Sequence, residues 1–380
     1  MNIVIAIDSF KGSLPTELSG KAVKEAILSV DPTAAVRVCP LADGGEGTTH
    51  AIVSATGGRL VTATVTGPLG APICAEYGLL PDGRTAVIEM ASAAGLPLVP
   101  ENERNPLNTT TYGVGELIAH AIREHGCRRF LVGIGGSATN DGGIGMLSAL
   151  GFSFVGRDGK PITGFGRDLS ALCEIRTDGA LSALSDCEFL VACDVNNPLC
   201  GENGCSYVYG PQKGATDETV RAMDAWLSCY ADLTKAVLPH ADKDAAGAGA
   251  AGGLGFALLS YLGATLVRGI ELVINETHLA DAIREADLVI TGEGRLDGQS
   301  CMGKAPVGVA RCAKQYGKPV IAFSGAVTPD AGAVNAHGID AFFPILRTPC
   351  TLDDAMNVEN AYRNLRDTAE QVFRLFLCKK

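Results

Sequence analysis

The chain has 380 residues, 47% hydrophobic and 19% charged, too long for one ordinary core and long enough for two. Its formal net charge of −11 argues against nucleic acid or an anionic membrane as the main partner, because both reward clustered Lys and Arg. A small anionic substrate stays open, since a few local cations and backbone N–H groups bind one whatever the global charge.

The N-terminal MNIVIAIDSFKGS has no basic region and runs straight into apolar residues 3–7, so a strand buried on both faces is expected there, not a signal peptide. A polar turn over residues 8–13 precedes a helix opening near Pro15 and Thr16, with Leu18, Ala22 and Ala26 on one stripe. Residues 36–39 form a second expected strand, followed by the glycine-rich segment 42–48 and a short helix. Between Leu60 and Pro100, Thr-, Val- and Gly-rich segments predict hairpins, with Pro81, Asp82 and Gly83 as a turn. Strands are expected at 130–133 and 189–193. The uncharged stretch 245–267 starts with Gly and Ala and is strongly apolar only from Leu254. It predicts a glycine loop leading into a buried helix rather than a membrane span. Short strands at 288–291, 320–323 and 341–343 alternate with helix-length segments, and a long amphipathic helix is expected over 352–377.

Such alternation predicts an α/β protein of two domains. The first is a Rossmann-like parallel-sheet domain built from both chain ends, residues 1–61 and 271–380. The second is an α/β domain, residues 62–270, inserted in the middle. The thirteen cysteines include no CxxC pair, which reads as reduced thiols in a cytoplasmic protein. The six histidines form no HxxH or HExxH pair, and no GxSxG elbow exists.

Three glycine patterns invite a nucleotide reading. Residues 247–252 match GxGxxG but follow charged residues instead of a strand, and 298–304 match a P-loop except that Ala305 stands where a hydroxyl is needed. The segment 133–138 follows an expected strand, with Asp158 about twenty residues on, as a dinucleotide site requires. It continues, however, as a turn-rich Thr139-Asn140-Asp141-Gly142-Gly143. Under either label, consecutive small residues expose N–H groups suited to an anion. A ring of strand-end carboxylates completes the picture: Asp8, Asp43, Asp194 and Glu293. Carboxyl ends of strands face the ligand crevice in open α/β sheets, and such a ring suits Mg²⁺ with phosphate oxygens. Lys11 and Arg295 follow two of these carboxylates closely, as phosphoryl transfer would demand.

The segments AIDSFKGS (6–13), ADGGEGT (42–48), GIGGSATNDGG (133–143), CDVNNPL (193–199), GPQKGA (210–215) and TGEGRLDGQS (291–300) resemble the class I glycerate kinase family, in order and over nearly the whole chain. That resemblance implies two α/β domains with the site in the cleft between them. It also implies transfer of the γ-phosphate of ATP to D-glycerate, giving 2-phosphoglycerate, in breakdown of glyoxylate or of sugar diacids such as glucarate and galactarate. Residue chemistry and loop position then suggest roles. Asp194 is the expected base, Lys11 the stabiliser of the transferring phosphoryl, and Asp8 the residue orienting Lys11. Gly135, Gly136, Ser137, Asn140 and Asp141 are the expected ATP contacts. Arg295, Asn197 and Ser300 are expected on glycerate, and Asp43 and Glu293 on Mg²⁺. Oligomeric state stays open, a homodimer among the options. Two competing readings are a nicotinamide-dependent hydroxy-acid oxidoreductase, favoured by residues 133–138 and Asp158, and a non-catalytic sugar-acid sensor.

Overall fold

The computed structural model describes residues 1–302 and 304–378. The chain groups into two compact units, one made of residues 1–43, 54–56 and the chain from Arg268 onward, the other of residues 44–53 and 57–267.

The first unit is built on a parallel five-stranded sheet in the order Ala341–Pro344, Val320–Val327, Leu288–Leu296, Asn2–Ile7, Ala35–Val38. Numbered by this unit's own strands, the order is 2-1-3-4-5. That is the flavodoxin-like doubly wound arrangement, not the 3-2-1-4-5-6 order of dinucleotide-binding sheets. Ile3, Ile5 and Ile7 share a core with Ala22, Val23, Ala26 and Ile27 of the helix Thr16–Val30 and with Ala361, Leu365, Ala369 and Phe373 of the helix Val358–Leu377. The alternate residues Val4 and Ala6 are buried as well, as a strand covered on both faces requires.

Two expectations need correction here. The strand starting at Leu288 does not stop at Thr291 but runs to Leu296. Its pairing with Asn2–Ile7 ends at Ile7 and Gly292, while its pairing with Val320–Val327 continues through Arg295 and Leu296. Gly292 makes this possible, because a Cβ there would strike the carbonyl oxygen of Phe323. The C-terminal helix is not continuous from 352 either. It breaks into Leu352–Met356 and Val358–Leu377 at Asn357, whose side chain accepts the N–H of Asn360 at 3.1 Å and starts the second helix.

The second unit holds a mixed six-stranded sheet. Arg59–Thr66, Pro72–Leu79 and Thr85–Glu89 form an antiparallel meander, then Arg129–Gly133, Glu188–Ala192 and Thr265–Val267 add in parallel. Phe130 and Phe189 stack across two of these strands, ring centroids 4.9 Å apart. Residues 44–53 group here, ahead of the expected division at 61, because Glu89 accepts the N–H groups of Thr49 at 2.7 Å and Gly47 at 3.3 Å. The glycine loop at 247–253 leads, as expected, into a buried helix, Ala250–Leu262. Its glycines serve packing: a Cβ on Gly253 would lie 2.7 Å from the Cα of Gly142. The loop is small so that it fits against the 133–143 loop.

Candidate active site

In a 2-1-3-4-5 sheet the ligand crevice lies at the carboxyl ends of the first and third strands, where the winding reverses. Here those strands are Asn2–Ile7 and Leu288–Leu296, and the residues at that point are Asp8 and Glu293. The hydroxyl of Thr16 fixes the local geometry by donating to Ile7 O at 2.6 Å and accepting from Leu41 N at 3.2 Å. It thereby holds the segment carrying Asp43 beside the end of the first strand. Lys11 Nζ donates to Asp43 Oδ2 at 3.2 Å. The two carboxylates Asp8 and Glu293, the Lys11–Asp43 pair and Arg295 all line one cavity of about 400 Å³.

The electrostatics follow from burial. Asp8 is only 4% exposed, and its pKa is pushed up to about 7, by burial first and then by the charge of Asp43; Lys11 and the Ser9 N–H pull the other way. Burial would lower the pKa of Lys11, but Asp43 and Asp8 outweigh it and hold the ammonium above its ordinary value. Burial also raises Glu293, against the hydroxyl of Ser300, which donates to Glu293 Oε1 at 2.7 Å.

Because folded Asp8 binds its proton more tightly than unfolded Asp8, this group favours folding at low pH. That contribution is lost as pH rises from the ordinary carboxylate value of 3.8 to about 7. Asp8→Asn should therefore melt higher than the parent above neutral pH, by roughly 1–3 kcal/mol in stability, with the advantage shrinking as pH falls. Superimposable melting curves across that range would show that Asp8 carries no such strain.

Several expected roles change. Lys11 is paired by Asp43, and Asp8 acts on it only through its charge. Ser300, expected on glycerate, is fully buried and bonded to Glu293 and Asp297, so here it positions a carboxylate. Arg295 keeps an open side chain, 65% exposed and 3.7 Å from Asp297. Asp297 was missed: it gathers Arg295, Ser300 and Lys304, the last at 3.5 Å. The TGEGRLDGQS segment contains it, but periodicity does not show that the chain turns back there.

The second unit carries the remaining expected residues. Beyond the strand Arg129–Gly133 the chain does not enter a helix, as a dinucleotide loop would; Ser137 bridges Gly95, and the next helix begins only at Ile144. Asp158 caps a turn, accepting Lys160 N at 3.1 Å. Gly136 is exposed, at φ +72°, with Gly135 and Ser137 half-buried beside it. Asn140 and Asp141, expected as ATP contacts, are fully buried. Asp141 accepts from Thr111 N and Oγ1, both at 2.7 Å, and from Gly143 N at 3.1 Å. Asn140 donates to Ser206 Oγ at 2.8 Å. Both shape the loop from within.

Lys213 was also missed. Only 2% exposed, it donates to Ser137 Oγ at 2.8 Å and to Thr139 O at 2.6 Å, and burial lowers its pKa to about 8. It sets a positive charge behind the Gly135–Ser137 stretch. Asp194 is exposed, just past the strand Glu188–Ala192. Asn197, expected on glycerate, is half-buried and braces that loop: its amide donates to Asn203 O at 2.8 Å and accepts from Tyr209 OH at 2.7 Å.

Comparison with known proteins agrees with this chemistry. The profile of the Glycerate kinase family matches residues 3–377. Glycerate kinase of Bacillus subtilis (strain 168) is 48% identical over 98% of each chain. Glycerate 2-kinase of Escherichia coli (strain K12) is 48% identical, over 97% of this chain and 98% of its own. A crystal structure described as a "putative glycerate kinase 2", from Salmonella typhimurium LT2, superposes with a TM-score of 0.90 at 48% identity, covering 100% of this chain and 99% of that one. Fold, motifs and full-length similarity together place this chain in the glycerate kinase family.

Proposed function

We propose that the protein phosphorylates D-glycerate at its 2-hydroxyl with ATP, giving 2-phosphoglycerate and ADP, in the breakdown of glyoxylate or of sugar diacids such as glucarate and galactarate. The observation that carries this reading is the gathering of Asp8, Lys11, Asp43 and Glu293 at the switch point of a doubly wound sheet, in a chain of this family. The substrate hydroxyl oxygen attacks the γ-phosphorus. The bond from that phosphorus to the bridging oxygen breaks, and ADP leaves with the electron pair. Lys11 stabilises the charge on the transferring group. For the hydroxyl proton we retain Asp194 as base, with Asp8 as its competitor.

Mg²⁺ is the proposed metal, held by Asp43 and Glu293. The donor set fits a hard cation that takes one or two carboxylates and keeps its water and phosphate ligands. Among the described residues no group of three or more His, Cys, Asp or Glu side chains forms an all-protein metal cage. When bound, the ion neutralises phosphate charge; the protein's part is to place the two carboxylates. A reducing cytoplasm is the proposed location, supported by thirteen cysteines that all stand as free thiols. Among the described residues no helix is long and apolar enough to cross a membrane. The nicotinamide reading loses its support, since neither the 133–138 segment nor Asp158 has the required geometry.

Purified protein is expected to consume ATP only when D-glycerate and a divalent cation are both present. Phosphorus NMR of the product should show a phosphomonoester on carbon 2. Undiminished turnover in excess chelator, or none with glycerate under any metal condition, sinks the kinase reading; a phosphate on carbon 3 corrects the hydroxyl alone.

A further inference from the structure

The lining of the cavity at the switch point has two unlike parts. One carries Asp8, Lys11, Glu293 and Lys304; the other is a wall of Leu346, Leu352, Ala355 and Met356. That wall is unusual for a surface. Among the described residues, four of the eleven exposed large hydrophobic side chains fall on the run 346–358, and Leu352 is 76% exposed. Isolated exposed leucines need no explanation, but a cluster facing a charged crevice marks a place for a ligand with an apolar part. The short helix Leu352–Met356 is set against the loop that bears Lys11: a Cβ on Gly12 would lie 3.0 Å from Met356 Cε. Wall and cation are therefore parts of one pocket.

Phosphoryl transfer to glycerate brings two ligands. Glycerate has three carbons carrying a carboxylate and two hydroxyls, and nothing on it profits from leucine and methionine. The nucleoside of ATP does, because a flat heteroaromatic ring buries apolar area and suits the polarizable sulfur of Met. We propose that this cavity is the nucleoside subsite, with the base of ATP against Leu346, Leu352, Ala355 and Met356 and its phosphates running toward Lys11 and Lys304. This rests on the phosphoryl-transfer reading above and adds to it the side of the chain that recognises the nucleotide.

The test is photolabelling of the full chain with 8-azido-ATP, followed by peptide mapping, together with steady-state kinetics of Leu352→Asp and Met356→Asp. Both wall residues are exposed, so both variants should fold. Label is expected within residues 345–361, competed by ATP. The KM for ATP should rise roughly tenfold or more in each variant, as loss of a buried apolar contact implies, while the KM for D-glycerate is unchanged. Label on residues 133–143 or 193–214, or an unmoved KM for ATP in both variants, overturns the proposal. So does a wall that joins two copies of the chain, seen as a halved solution mass for Leu352→Asp with its KM for ATP unmoved. Labelling needs no glycerate, so its failure is separable from failure of the kinase reading, which turnover of the unsubstituted protein decides.

Discussion

Asp194→Asn is expected to lower turnover at saturating substrates by roughly 10²–10⁴-fold, the loss typical of a general base, while the melting temperature stays where it was. Asn keeps the size of the side chain and removes its charge and basicity. The surrounding loop is also held by backbone and amide hydrogen bonds. Cys193 N donates to Val267 O at 2.9 Å, Gly249 N to Asn197 O at 2.9 Å, and the Asn197 amide spans Asn203 and Tyr209. Two other roles would show different signatures. A metal ligand would raise the Mg²⁺ requirement and be partly rescued by excess metal. A turn residue would lower the melting temperature and leave near-normal turnover in the folded fraction. If the variant keeps about a third or more of normal turnover at saturating Mg²⁺, Asp194 is not the base. Asp8, with its carboxyl pushed up to about 7, then takes that role.

Lys11→Met is expected to cost about 10²–10³-fold in turnover, comparable to removing one donor that stabilises charge in the transition state. Structural damage should be slight. The Lys11 side chain is 61% exposed, and ion pairs of that kind contribute little to stability. The variant also makes a directional pH prediction. Lys11 is one of the groups that lower the pKa of Asp8, so without it Asp8 should ionise at higher pH, and any acid limb of the rate profile that reports Asp8 should move upward. Turnover within about threefold of the parent would make Lys11 an ordinary surface cation.

The strand positions were legible because parallel strands buried on both faces are written as short apolar runs, such as residues 3–7 and 288–291. Their ends were less so. Nothing in TGEGRL says that the strand continues through Glu293 and Arg295; its neighbour Val320–Val327 supplies the hydrogen bonds that extend it. Asn357 was a helix breaker hidden in an amphipathic pattern, since its capping bond becomes visible only when the backbone turns there. Among site residues, carboxylates at strand ends could be found by chemistry and position. Lys213 and Asp297 could not. Lys213 matters through Ser137, 76 residues away, and Asp297 through a local turn that brings Arg295, Ser300 and Lys304 onto it.

Taken alone, the amino-acid sequence determined the α/β class, the strand-end carboxylates, the anion-suited 133–143 loop and the family resemblance. Each of these is local: a periodicity, a residue type at a strand end, or a run of small residues. Only the tertiary structure decided that Asp43, not Asp8, pairs with Lys11, and that Ser300, Asn140, Asp141 and Asn197 hold the framework in place. It also decided that an apolar wall faces the charged switch point. A side chain becomes a ligand contact or a brace according to which polar groups the fold brings within about 3 Å of it, and that proximity comes from packing between segments far apart in the chain.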